Sequence, residues 1–168
     1  MTLVALAPPR AVPAYVGLGA NLGEARATLE QAVDRLARLP GTRWLRTSHW
    51  LASAPVEADG PEFVNGACLL ETTLTAPALL AHLQAIERAF GRERPYRNAP
   101  RTLDLDLLLY GEARMDWPVL TLPHPRLHQR AFALKPLLDL DPDLVLPGLG
   151  PARAWLDRID GQRVRWLD

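Results

Sequence analysis

The sequence predicts one α+β domain over residues 1–168, an antiparallel sheet with helices packed on it and additions at its C-terminal end. Two segments repeat apolar residues at helical spacing, and short blocks between Gly and Pro turns alternate like strands. Hydrophobic residues make up 48% of the chain and charged residues 23%, enough apolar surface for a core of its own.

The first element is a strand over residues 14–19, running into the loop from Ala20 to Gly23. A helix follows, with Leu29, Val33, Leu36 and Leu39 on one face and Pro40-Gly41 ending it. Residues 43–53 and 63–73, rich in Thr, Trp, Val and Leu, read as two strands around a long loop containing Pro55, Gly60 and Pro61. The second helix has Thr75 as N-cap, Pro77 in its first turn, an apolar face of Leu79, Leu83, Ile86 and Phe90, and Gly91 as its close. A loop rich in Arg and Pro leads into a strand carrying Asp104 and Asp106. The order to this point is β-α-β-β-α-β, the ferredoxin-like order, which places both helices on one face and leaves the other for a site. Gly111 turns the chain, residues 117–122 add an edge strand, and residues 125–138 are helical in their later part. A helix over 152–159 and a short strand over 163–167 complete the domain.

The equal numbers of basic and acidic residues, 19 each, provide no global basic field for nucleic acid. No run of about 20 apolar residues would span a membrane. Met1 to Pro13 lacks the charged start and long apolar run of a secretory signal, so it reads as a loosely ordered leader and the protein as cytoplasmic. Cys68, the single cysteine, falls in a strand pattern and reads as a buried thiol.

The chemistry concentrates on the segment 100–111, Pro-Arg-Thr-Leu-Asp-Leu-Asp-Leu-Leu-Leu-Tyr-Gly. Strand alternation sends Asp104 and Asp106 to one side and Leu103, Leu105, Leu107 and Leu109 to the core side. Two carboxylates roughly 7 Å apart repel by about 2 kcal/mol at an effective dielectric of about 20 unless a cation lies between them. Arg101 is one source of positive charge, and a hard divalent ion such as Mg²⁺, which takes carboxylates together with substrate phosphates, is another. A solvated acidic strand face is the third reading.

Arg92, Arg94, Arg97 and Arg101 flank this strand, and Arg126 and Arg130 follow His124, a density of guanidinium groups suited to phosphates. Gly17, Gly19 and Gly23 invite a dinucleotide-binding reading, but the third glycine falls one residue late, so a tight turn close to neighbouring backbone is the better reading. No P-loop is present, and Lys135 is the only lysine. His49, His82 and His128 read as surface or satisfied residues, and no His pair has zinc-ligand spacing. Phe63 and Asn65 share a strand face, a flat ring beside an amide, which suits a planar heterocycle as well as core packing.

With these residues assembled, the chain resembles the 6-hydroxymethyl-7,8-dihydropterin pyrophosphokinase family of folate synthesis over roughly residues 14–148. The resemblance rests on residues 97–111, the Gly17-to-Gly23 run, Phe63-Val64-Asn65, Gln84 to Glu87, and Pro123-His124 through Arg130-Ala131-Phe132, all in the family's order. It implies transfer of pyrophosphate from ATP, the co-substrate, to the pterin hydroxymethyl group with release of AMP. It also implies two Mg²⁺ ions held by Asp104 and Asp106, with Arg92 and Arg101 neutralising the moving phosphates. Gln84, Glu87, Arg94, Leu107, Thr121, His124 and Arg130 would add nucleotide contacts. Phe63 and Phe132 would sandwich the pterin, Asn65 would bond its edge, and main chain near Ser53 and Val56 would complete the pocket. Small molecules are the implied partners, and a monomer is expected, with no nucleic acid or membrane.

The chain departs from some relatives at Asn98, where they carry an aromatic residue, and in a slightly shorter loop from Arg92 to Arg101. Loops 54–62 and 92–100 are expected to close over the substrates. Two other classes share part of the pattern: a ferredoxin-like RNA-binding module, which would want aromatics and basic charge where Asp104 and Asp106 stand, and a sugar-nucleotide transferase with an Asp-x-Asp metal site.

Overall fold

The computed structural model describes residues 9–21, 23–54, 61–91 and 103–167. The core elements follow in the expected order: β1 (Val12–Ala20), α1 (Ala25–Ala37), β2 (Thr42–Thr47), β3 (Leu51–Ser53), β4 (Phe63–Thr72), α2 (Ala76–Phe90) and β5 (Asp104–Tyr110). β1 lies between β4 and β5, and β2 and β3 both pair with the far edge of β4, every pairing antiparallel. This is the ferredoxin-like arrangement. The helix signals of α2 hold in detail: Thr75 Oγ1 accepts from the Ala78 N–H at 3.3 Å, and Gly91 caps the other end.

The segment 43–53 breaks in the middle, and the cause lies in β4. Ser48 exchanges main-chain and side-chain bonds with Ala67, and Trp50 turns its ring over Gly66, where an added Cβ would stand 2.4 Å from Trp50 Cε3. Between Thr47↔Cys68 and Leu51↔Asn65 the outer chain therefore gains one residue on β4, separating β2 from β3.

Ala14, Val16, Leu18, Cys68, Leu70, Leu105 and Leu107 face α1 and α2 in one core. The opposite face was expected to be free, but α3 (Ala131–Leu140) and α4 (Ala152–Leu156) cover one end of it, packing on Tyr15, Ala67, Leu69, Leu108 and Leu109. Fully buried Leu134 and Leu137 each contribute about 1.5–3 kcal/mol to that layer. Leu109 was assigned to the first core by simple alternation; a register shift between Tyr15↔Leu109 and Val16↔Leu107 moves it to the second. The covered end leaves less of the open sheet surface that an RNA-binding module of this order would use.

After Gly111, whose φ of +50° suits the turn, the chain forms β6 (Met115–Trp117) and β7 (Leu120–Leu122). These two strands pair with each other, which corrects the expectation of an edge strand on the main sheet. A 3₁₀ turn at Leu127–Gln129 precedes α3. A small ribbon of β8 (Val145–Leu146) and β9 (Gly150–Pro151), not anticipated, precedes α4. β10 (Val164–Trp166) then pairs with β3 and becomes the sheet's outer strand. Val12 and Pro13, assigned to a loose leader, pair with Thr72 and Glu71 in β1; residues 1–8 lie outside the described residues. No helix among the described residues is long and apolar enough to cross a membrane.

Candidate active site

The uncovered end of the second sheet face carries the predicted chemistry in a single cross-strand row. Asn65 on β4 stands opposite Gly19 on β1, which stands opposite Asp104 on β5; one step along, Ala67, Gly17 and Asp106 repeat the arrangement. Gly17 and Gly19 lie inside β1, correcting the expectation of a tight turn. Lacking side chains on the face shared by Asn65 and the acids, they make a flat floor between them. An added Cβ on Gly19 would sit 3.0 Å from Asn65 Oδ1, and one on Gly17 would sit 3.1 Å from the Leu108 side chain.

At one end of the floor, Asn65 Nδ2 donates to Ser53 Oγ at 2.7 Å, and both residues are nearly buried, 6% and 5% exposed. Phe63 pairs across from Ser53 and is half-buried. At the other end, Asp106 is open to solvent, its side chain 48% exposed, and its Oδ1 lies 4.0 Å from His124 Nε2. The Arg126 N–H donates to His124 Nδ1 at 3.2 Å, so the neutral ring carries its proton on Nε2, toward Asp106. Burial pushes the His124 imidazolium below its ordinary range; Asp106 opposes that shift, and Arg130 and Arg126 reinforce it.

The acid strand is held from both sides. Glu87 Oε2 on α2 accepts from the Leu105 N–H at 3.2 Å, and the His124 N–H donates to the Leu108 carbonyl at 3.0 Å. Leu107 is 3% exposed and packs in the first core, which leaves its main chain for any ligand contact. Arg130 lies over the Phe132 ring at 5.5 Å, both half-buried at the start of α3. Gln84 is exposed on α2, and Thr121 is half-buried on β7 opposite Asp116. A groove of ≈ 580 Å³ is lined by Thr121 and His124 together with Arg114, Asp116 and His128. Val56, Arg92, Arg94, Arg97, Asn98 and Arg101 lie outside the described residues, as do most of the two loops expected to close.

Cys68 is fully buried, 3.3 Å from Thr47 Oγ1, and burial pushes its thiol up to about 11. His49 is satisfied by Asp139 at 3.0 Å. His128 is not: its Nδ1 is buried without a hydrogen-bond partner among the described residues, with the ring edge-on to Trp155 at 4.8 Å. The sequence reading also missed the C-terminal contribution to the site. Gln162 bonds the main chain at Gln129 and Ala131, and Arg165 pairs with Glu62. The alternating Val164-Arg165-Trp166 indicated a strand, but nothing local indicated its partner.

The donor set suits a hard ion that shares its shell with substrate. Asp104 and Asp106 project from one face over glycines that leave room above the strands, and Mg²⁺ takes one or two carboxylates plus phosphate oxygens. Among the described residues no group of three or more His, Cys, Asp or Glu forms an all-protein cage.

Residues 15–142 match the family described as 7,8-dihydro-6-hydroxymethylpterin-pyrophosphokinase. The chain is similar to the 2-amino-4-hydroxy-6-hydroxymethyldihydropteridine pyrophosphokinase of Pseudomonas aeruginosa, 51% identical over 134 residues that cover 79% of this chain and 83% of that one. The enzyme of that name from Synechocystis is 41% identical over 143 residues, 85% of this chain and 73% of that one. Among solved structures, a Plasmodium falciparum HPPK-DHPS protein superposes with a TM-score of 0.70 at 12% identity, over 94% of this chain; the chain spans 47% of that longer protein, and the likeness speaks for the fold. The family and these relatives define a diphosphotransferase. The chain belongs to the 7,8-dihydro-6-hydroxymethylpterin-pyrophosphokinase family.

Proposed function

We propose that this chain transfers the pyrophosphoryl group of ATP to the hydroxymethyl oxygen of 6-hydroxymethyl-7,8-dihydropterin in folate biosynthesis, on the sheet face bearing Asn65, Asp104 and Asp106. The family supports the reaction. The observation that carries the site is the glycine floor, which sets the Asn65 amide and the Asp104–Asp106 pair on one flat surface. The hydroxymethyl oxygen bonds to the β-phosphorus of ATP, and the bond from that phosphorus to the oxygen bridging the α-phosphate breaks. The hydroxyl gives up its proton, and AMP leaves. No covalent nucleophile is needed, because such transfers are catalysed mainly by position and charge.

In this reading Asn65, held by Ser53, bonds the pterin edge, Phe63 and Phe132 pack on its faces, and main chain at Val56 closes the pocket. Asp104 and Asp106 hold two Mg²⁺ ions, which would supply charge neutralisation and a template for the phosphate oxygens. His124, its proton on Nε2, and Arg130 donate to phosphate oxygens in this reading, and Arg92, Arg94 and Arg101 add guanidinium charge. Gln84, Leu107 and Thr121 contact the nucleotide, while Glu87 keeps the acid strand in place through Leu105. A monomer acting in the cytoplasm belongs to the same reading. Equilibrium titration with an unreactive ATP analogue tests it. Binding should require Mg²⁺ and weaken at least about 100-fold in Asp106→Asn; binding indifferent to Mg²⁺ and to that substitution would contradict it.

A further inference from the structure

The C-terminal segment beyond α4 reaches back to both walls of the site. Its outer part, β10, pairs Val164 with Ser53, and Arg165 Nη2 bonds Glu62 Oε1 at 3.2 Å, one residue before Phe63. The Leu167 N–H donates to the Trp50 carbonyl at 2.8 Å and fixes the end of this strand. Its inner part acts through one side chain. Gln162 Nε2 donates to the Gln129 carbonyl at 2.8 Å, and Gln162 Oε1 accepts from the Ala131 N–H at 2.8 Å. The single residue between those two main-chain groups is Arg130.

Arg130 stands at a junction, the N-cap of α3 in an extended conformation (φ −123°, ψ 111°), with no side-chain capping bond. An amide group bonded on both sides of such a residue supplies the fixed donor and acceptor that a strand partner would, and it restrains the direction in which the side chain leaves the backbone. That direction takes Arg130 over Phe132 and close enough to His124 to act on its charge.

We propose that Gln162 is a positioning residue for Arg130, splinting the main chain on either side of it so that the guanidinium is aimed at the substrates before they bind. The proposal rests on the reading that Arg130 contacts substrate. Pre-ordering of this kind lowers the entropy lost on binding and is expressed in kcat/KM.

The test is a double-mutant cycle in the full-length protein, with kcat and KM measured for ATP and for the pterin in wild type, Gln162→Ala, Arg130→Ala and the double variant. Gln162 is exposed and outside both cores, so its variant folds; Gln162→Glu, which keeps the acceptor for Ala131 and loses the donor for Gln129, is a second probe. Gln162→Ala should lower kcat/KM for ATP by about 10-fold, the effect of roughly one hydrogen-bonded restraint, and Gln162→Glu, which sets a carboxylate oxygen against the Gln129 carbonyl, by at least as much. In the Arg130→Ala background the same change should cost less than about twofold. Effects that multiply would show Gln162 acting on the site independently of Arg130 and would overturn the proposal, as would a neutral Gln162→Ala beside a crippled Arg130→Ala. A neutral Arg130→Ala would instead remove the substrate role of Arg130, leaving nothing to position.

Discussion

Asn65 Oδ1 lies 3.0 Å from the point where a Cβ would stand on Gly19, so the bare backbone of Gly19 is what allows the Asn65 amide to lie along the strand beside it. Gly19→Ala should displace that amide across β4 toward Ser53 on β3, its partner at 2.7 Å, and spoil its alignment for a ligand. Loss of one aligned hydrogen bond corresponds to a rise of roughly 10-fold in KM for the pterin with KM for ATP little changed. Steady-state kinetics with each substrate varied would check it, and an unchanged pterin KM would show that Asn65 does not read the substrate.

Asp104 and Asp106 are only half-buried and pack in neither core, so removing them leaves the fold intact. Asp104→Ala and Asp106→Ala are expected to retain the wild-type thermal midpoint within a few degrees while losing about 10³-fold or more in turnover, the scale of losing charge stabilisation at a transferring phosphoryl group. Turnover within about 10-fold of wild type would remove both from the chemistry.

Cys68 supplies a pH-dependent prediction. Its folded value of about 11 lies above the roughly 8.5 of a free thiol, so the folded state holds this proton more tightly than the unfolded chain. The stability this contributes is fully present below about pH 8.5 and is lost as the pH rises from there through about 11. Urea midpoints measured between pH 8 and pH 10.5 should fall more steeply for wild type than for Cys68→Ala; the comparison cancels Tyr15 and Tyr110, which burial also pushes upward. Parallel slopes would contradict the assignment.

The break between β2 and β3 depends on Gly66. A Cβ there meets two ring carbons of Trp50, at 2.4 and 2.5 Å, and the ring sits in the first core and cannot swing into solvent. Gly66→Ala should destabilise by about 1–3 kcal/mol, seen as a lower urea midpoint at unchanged m. Thr75→Ala, which removes the α2 cap, should cost about 1 kcal/mol.

The elements with local signals were legible in the sequence: α2 from its cap, Pro77 and apolar face, β5 from its alternating acids and leucines, and the order that led to the ferredoxin-like sheet. The misses depended on partners far along the chain. The extra residue before β3 follows from Trp50 meeting Gly66, and the shift of Leu109 from a bulge against Tyr15. β10 is a three-residue strand whose pairing with β3 is set by tertiary contact. Asp104, Asp106, Asn65 and His124 stood out as candidates because their chemistry is unusual at those spacings, and the fold brings them to one sheet face. Gly17, Gly19 and Gln162 were misplaced or missed because a glycine's role as floor and an amide's role as splint exist only once the sheet is assembled.

The most direct measurement is a chromatographic separation of products after incubating the purified protein with MgATP and 6-hydroxymethyl-7,8-dihydropterin. AMP is expected in step with the pterin diphosphate, only when pterin is present, and none after addition of a chelator. ADP as the product, or no turnover in the presence of Mg²⁺, would contradict it.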